Sequence, residues 1–195
     1  GLLFDIRHRY SFESSEEEGD YLEGTGSMIL DRTNKIVYAC LSPRTNIFLL
    51  DRFCLLMGYS LVSFFSTDKA GKEIYHTNVM MAIADQYVVI CLESIKDEDK
   101  RAEVIKSIEN SGKEIISITF DQVLRFAGNM LQIEGGLGQK IMVMSEQAYN
   151  SLSEEQITRI KHYNPILSIP IPTIEKYGGG SVRCMMAEVF LPKKR

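Results

Sequence analysis

The chain has 195 residues, 45% of them apolar and 25% charged, with a formal net charge of −4. These values fit one folded domain with a sizeable core and argue against a disordered chain or a broad basic surface for nucleic acid. Every apolar run is shorter than the ~18 residues of a membrane span, no basic-then-apolar leader is visible, and the four cysteines form no CxxC pair, so the reading is a reduced cytoplasmic protein without a disulfide frame or zinc site.

The acidic stretch ESSEEEGDYLE (13–23) reads as solvated surface. Beyond it, short runs of strong β-formers predict strands at 27–31 and 35–41, with Asn34 in the turn between them. A helix follows over about 45–57, stopped at Gly58, and then a strand at 59–65. The same order returns as strands at 78–84 and 87–94, a helix over about 97–110 that ends near Gly112, and a strand at 113–119. It returns again as strands at 129–134 and 140–145 around the turn glycines 135, 136 and 138, a helix over about 153–163 capped by Ser153, and a strand at 165–171.

Each unit begins at an equivalent position: Ser27, Asn78, Asn129 and Cys184, spaced by 51, 51 and 55 residues. A fixed period of about fifty residues means one supersecondary unit repeated. The expectation is an α/β repeat array of three ββαβ units plus the first strand of a fourth, carried by MMAEVF after Cys184. First strands would lie innermost, helices outside, and the unit starts would converge.

Glu23, His76 and Cys184, with Arg183 beside it, lie at or just upstream of three of those starts. A thiol, an imidazole and a carboxylate brought together are the parts of a nucleophilic cysteine site. The glycines at 178–180, with Gly180 nearest the cysteine, would let backbone approach a ligand. Cys40, Cys54 and Cys91 sit among apolar neighbours and read as small buried hydrophobes. His8 and His162 read as surface residues. Asn129 fits the register without reactive chemistry and is assigned to packing. One histidine, one cysteine and one acid do not make a metal site. Charge and composition leave a small-molecule substrate as the expected partner, with no nucleic acid and no membrane; a homo-oligomer stays open.

The segments LEGTGSMILDR, ACLSPRT, YHTNVMMAI, FAGNML and GGGSVRCMMAEVFLP, in this order, resemble the guanidino-group-modifying enzymes, the arginine deiminase and amidinotransferase superfamily. The nearest branch is the amidinotransferase-like citrulline-utilization hydrolases, and the resemblance covers nearly the whole chain from Glu23 onward. It implies the pentein fold, a five-bladed propeller of ββαβ units around a central site. By that measure about two N-terminal blades are missing, residues 1–22 are a remnant of a preceding blade, and residues 23–195 are the catalytic part; the Gly1 start hints at trimming.

The resemblance further implies that Cys184 is the nucleophile and His76 the general acid/base. Glu23 would grip guanidinium nitrogens, and Arg44 would bind a substrate carboxylate. Asn78 and Gly26 stand where deiminases carry aspartates, which suggests a less cationic substrate such as a ureido group. No cofactor is implied. The expected activity is cysteine-dependent hydrolysis, or amidino transfer, at the central carbon of a guanidine or ureide. The alternatives are a non-catalytic propeller binding module and an inactive C-terminal fragment.

Overall fold

In the computed structural model, which describes residues 3–6 and 8–194, two one-turn helices precede the first sheet: α1 (Glu13–Glu16) and α2 (Gly24–Ser27). Gly1 and Arg195, the outer bounds of the predicted division, lie outside the described residues. The first unit is β1 (Ile29–Asp31), β2 (Ile36–Cys40), α3 (Ile47–Met57) and β3 (Ser60–Phe64). β1 and β2 pair antiparallel across a tight turn held by the Asp31 carboxylate, which accepts from the Asn34 backbone N–H at 3.0 Å and from its side-chain amide at 2.9 Å. β2 and β3 run parallel, so the chain must cross over between them, and α3 is that crossover. The Asn46 side chain starts α3 by accepting from the Phe48 and Leu49 N–H groups, and Gly58, left-handed at φ 68°, ends it.

The second unit repeats the plan with β4 (Met81–Ile83), β5 (Tyr87–Ile90), α4 (Glu98–Asn110) and β6 (Glu114–Ser117). After a helical turn, α5 (Phe120–Val123), the third has β7 (Leu131–Glu134), β8 (Lys140–Ser145), α6 (Glu146–Ser151), α7 (Glu154–Tyr163) and β9 (Ile166–Ile169). Each set of strands makes its own three-stranded sheet, antiparallel then parallel, giving a mixed α/β fold. β1 packs beside β4 and β4 beside β7, so the first strands do come together.

The helix of one unit packs on the third strand of the unit before. Tyr38 and Ser107 share a 2.9 Å hydroxyl contact across the first seam. Across the second, Arg159 Nε meets Glu114 Oε1 at 2.5 Å and Gln156 donates to the Ser117 carbonyl at 2.6 Å. The core between sheets is largely apolar, with Tyr38, Tyr87, Met80, Met81, Ile108 and Ile116 fully buried. At the far ends of the first strands, buried Lys113 donates to the Ala84 and Asp85 carbonyls at 3.1 and 2.6 Å, and lies 3.6 Å from buried Asp31.

Four expectations need correction. The strand expected at 87–94 ends at Ile90, and Leu92–Ser94 is a 3-10 turn. Ser27, Asn78 and Asn129 do not lie in strands; each sits in or just after a turn, and its strand begins two or three residues later. The fourth strand does not form among the described residues: Val182–Met185 is a 3-10 turn, residues 186–190 have no ladder partner there, and the tail pairs only beyond them, through an isolated antiparallel bridge of Lys193 with Phe4. An apolar run without a neighbouring strand has nothing to satisfy its backbone groups as sheet. Finally, residues 170–171 belong to no strand, and Pro172 opens a helix, α8 (Pro172–Gly178).

Candidate active site

The unit starts form one cluster because each is a turn whose polar groups bond to the next. Gly24, at φ 52°, lets α2 wind tightly after Glu23. Ser27 Oγ accepts from the Glu23 N–H at 2.9 Å and donates to the Arg44 carbonyl at 2.8 Å, fixing both charged residues to the same turn. Thr77, in the 3-10 turn Thr77–Val79, donates to the Ser27 carbonyl at 2.6 Å and accepts from the Cys40 N–H at 2.8 Å. That bond carries His76 to the first unit.

Glu23 Oε2 lies 2.5 Å from His76 Nε2 and 3.7 Å from Arg44 Nη1. The carboxylate is therefore matched on two sides. Arg44 in turn stands 4.8 Å over the Tyr75 ring, and Tyr75 packs on His76 with ring centroids 4.7 Å apart. Gly26 lies directly against the imidazole, where a Cβ would meet Nδ1 and Cε1 at 3.0 Å. An aspartate at this position would displace the ring it packs on.

Cys184 is the exposed member of the four free cysteines; Cys40, Cys54 and Cys91 are buried. Burial raises the Cys40 thiol and pushes Cys91 up to about 11, so both stay protonated and unreactive at neutral pH. The Cys184 turn is anchored from beneath by Ser181, which donates to buried Glu175 at 2.7 Å. Gly180 lies against the cysteine, and a Cβ there would stand 3.2 Å from Sγ. Asn129 Nδ2 approaches the sulfur at 3.2 Å and Asn78 Nδ2 at 3.9 Å. Asn78 Oδ1 is buried and has no hydrogen-bond partner among the described residues.

Glu23, His76 and Arg44 thus share one cluster, and Cys184, Asn78 and Gly180 another, joined through the turn that carries both His76 and Asn78. Arg183 is different. Its backbone N–H joins the cluster by donating to Asn129 Oδ1 at 3.1 Å, but its guanidinium donates to the Met186 carbonyl at 2.9 Å and meets Glu188 at 3.5 Å. Burial lowers its affinity for a proton from the usual arginine value. Its side chain lines a separate cavity of about 880 Å³, walled by β1, β4, β7 and residues 185–190, and containing none of Glu23, His76 or Cys184. His8 and His162 are exposed, as expected. Among the described residues no helix is long and apolar enough to cross a membrane.

Sequence reasoning missed Asn129 and Thr77, which hold the cluster together. The available signal was register: Asn129 occupies the slot of Asn78 exactly one period on, and an amide there can bond to the next unit's backbone as readily as pack.

The model of the eukaryotic N,N-dimethylarginine dimethylhydrolase family matches residues 3–191, and the chain belongs to that family. A comparison with curated protein sequences gives no match. Among solved structures, the N-terminal domain of ArgZ, a cyanobacterial arginine dihydrolase, is similar with a TM-score of 0.67 at 16% identity, over 88% of this chain and 58% of that one. An agmatine deiminase of C. jejuni is similar at TM-score 0.53 and 13% identity, over 85% of this chain and 55% of that one. SxtG, an amidinotransferase of Microseira wollei, is similar at TM-score 0.57 and 12% identity, over 93% and 50%. The fold is the mixed α/β fold of guanidino-group-modifying enzymes, and the chain spans about half to three-fifths of the length of these three neighbours.

Proposed function

We propose that this member of the dimethylarginine dimethylhydrolase family carries the catalytic cysteine of a hydrolase acting on the central carbon of a guanidino or ureido group. One observation carries the reading: the 2.5 Å Glu23–His76 pair and Cys184, exposed and approached by amide N–H groups, are gathered from distant parts of the chain at one set of converging turns. A buried structural cysteine would need neither exposure nor donors around its sulfur.

In this mechanism the Cys184 thiolate attacks the planar carbon, and a carbon–sulfur bond forms as the C=N or C=O π pair moves to its nitrogen or oxygen. Collapse of the tetrahedral species expels ammonia or an amine, which takes its proton from the His76 imidazolium. His76 then removes a proton from water, the hydroxide attacks the covalent thiouronium-type carbon, and the sulfur leaves as thiolate. Glu23 orients the imidazole and balances its positive form. Arg44, half exposed beside the pair, would meet a substrate carboxylate. No step calls on a cofactor.

Charge bears on the substrate. The Glu23 carboxylate is already matched by Arg44 and His76, while position 78 is a neutral amide whose buried oxygen has no hydrogen-bond partner among the described residues. That oxygen suits a substrate N–H without demanding a cation, which favours a ureido compound of the citrulline type over arginine. Released ammonia and amine, measured on a panel of arginine, Nω-methylated arginines and citrulline with the protein at its full natural length, test the reading. Turnover of one class that disappears in Cys184→Ala supports it; turnover retained in Cys184→Ala sinks it.

A further inference from the structure

We propose that Asn129 is a positioning residue for Cys184, holding the sulfur in place and donating a hydrogen bond that is strongest to the thiolate. The side chain is almost fully buried, and its oxygen and both N–H groups are engaged. Oδ1 accepts from the Arg183 N–H at 3.1 Å, while Nδ2 donates to the Asn78 carbonyl at 3.1 Å and approaches Cys184 Sγ at 3.2 Å. Two backbone groups therefore fix which way the amide faces. Turned over, it would set oxygen against the Asn78 oxygen and N–H against the Arg183 N–H, both repulsive. The sulfur consequently meets a donor whose direction it does not choose.

The thiol has an alternative, donating to Asn129 Oδ1 at 3.6 Å, but that contact is longer and weaker than the 3.2 Å approach of the amide nitrogen. Asn78 Nδ2, at 3.9 Å, lies on the same sulfur from the equivalent slot of the preceding unit. Both amides are neutral. The charged groups around the cysteine are Arg183 and Glu188 on its own segment, bound to each other, and the Glu23, His76 and Arg44 cluster on the turns joined to Asn78. Hydrogen bonds to a charged acceptor are about twice as strong as neutral ones, so the Asn129 bond acts chiefly on the reactive form. An adjacent acid/base would accelerate turnover; Asn129 instead prepares the nucleophile before substrate arrives.

The inference rests on Cys184 as the nucleophile, but its test needs no turnover. The rate of Cys184 alkylation by iodoacetamide is followed by peptide mass, from neutral to alkaline pH, in the folded wild-type chain and in Asn129→Asp and Asn129→Ser. Aspartate keeps the acceptor for the Arg183 N–H and loses the donor; serine keeps polarity and loses the reach. Both are expected to alkylate about tenfold more slowly at neutral pH and to converge on wild type at alkaline pH, where the thiol is ionised regardless. An unchanged neutral rate overturns the inference. A loss equal at every pH, or simultaneous labelling of Cys40, Cys54 and Cys91, marks a merely structural role and overturns it as well. Failure to hydrolyse any guanidine or ureide would count against the proposed function and leave this readout standing.

Discussion

The two ends of the first strands are built from opposite materials. Where the strands begin, neutral amides and hydroxyls of Ser27, Thr77, Asn78 and Asn129 pass hydrogen bonds from one unit to the next and leave a thiol exposed. Where they end, full charges are paired: Asp31 with Lys113, and Lys140 with both Asp85 and Glu134. The site end carries charge as well, in the Glu23, His76 and Arg44 group, but the hydrogen-bond contacts on the Cys184 sulfur come from the neutral amides of Asn129 and Asn78. That end can host chemistry, and the paired charges at the other end supply cohesion.

That contrast can be broken from either side. The largest expected effect is on turnover: Glu23→Gln removes the partner of His76 and should lower kcat by about 10²–10⁴-fold, the ordinary contribution of a positioned acid/base, with little change in thermal stability by calorimetry. At the opposite end, Lys113→Ala strands the buried Asp31 carboxylate. It should reduce stability by about 3 kcal/mol in denaturant titration, while leaving Cys184 alkylation at the wild-type rate. Gly128→Ala tests whether packing at the site end matters as well. Its Cβ would run into the Val79 carbonyl and lie 2.9 Å from the Met80 backbone, so a loss of about 1–3 kcal/mol is expected.

The smallest effect concerns pH. The Tyr163 hydroxyl, at 2.7 Å, and then Arg159 hold the Glu114 carboxyl below the usual carboxylate range. A depressed acid contributes stability above its unfolded pKa of about 4.3, and that contribution disappears as pH falls through the folded value. Glu114 is partly solvated, so Glu114→Gln should cost under about 1 kcal/mol at neutral pH. The difference from wild type should vanish in strong acid when unfolding is followed by circular dichroism.

Much of the frame is legible in the sequence because register leaves marks there. The 51-residue recurrence, the Ser153 cap and the Gly58 stop are local signals, and their elements form where expected, with Gln156 completing a capping box on Ser153. The strand starts were misplaced because residues such as Met28, Val79 and Met130 are apolar in the turns too; they are buried or half-buried by the tertiary packing, which no local pattern reports. The MMAEVF run has strand-like composition but no ladder partner among the described residues, and pairing is a non-local property. Within the site, Glu23, His76 and Cys184 carry chemistry that can be read from residue type. Asn129 does not. Its importance comes from three bonds made to other units, and an asparagine that only packs looks the same in sequence.

Gly26 sets an order on how this site can change. Because a Cβ at position 26 would stand 3.0 Å from the His76 ring, an acid introduced there must move the imidazole by a few tenths of an ångström, and with it the contact to Glu23. A change of preference toward more cationic substrates therefore either begins at a position that leaves the ring alone, Asn78 for example, or moves the ring and its neighbour at position 26 together. The glycine makes two neighbouring residues a single heritable choice.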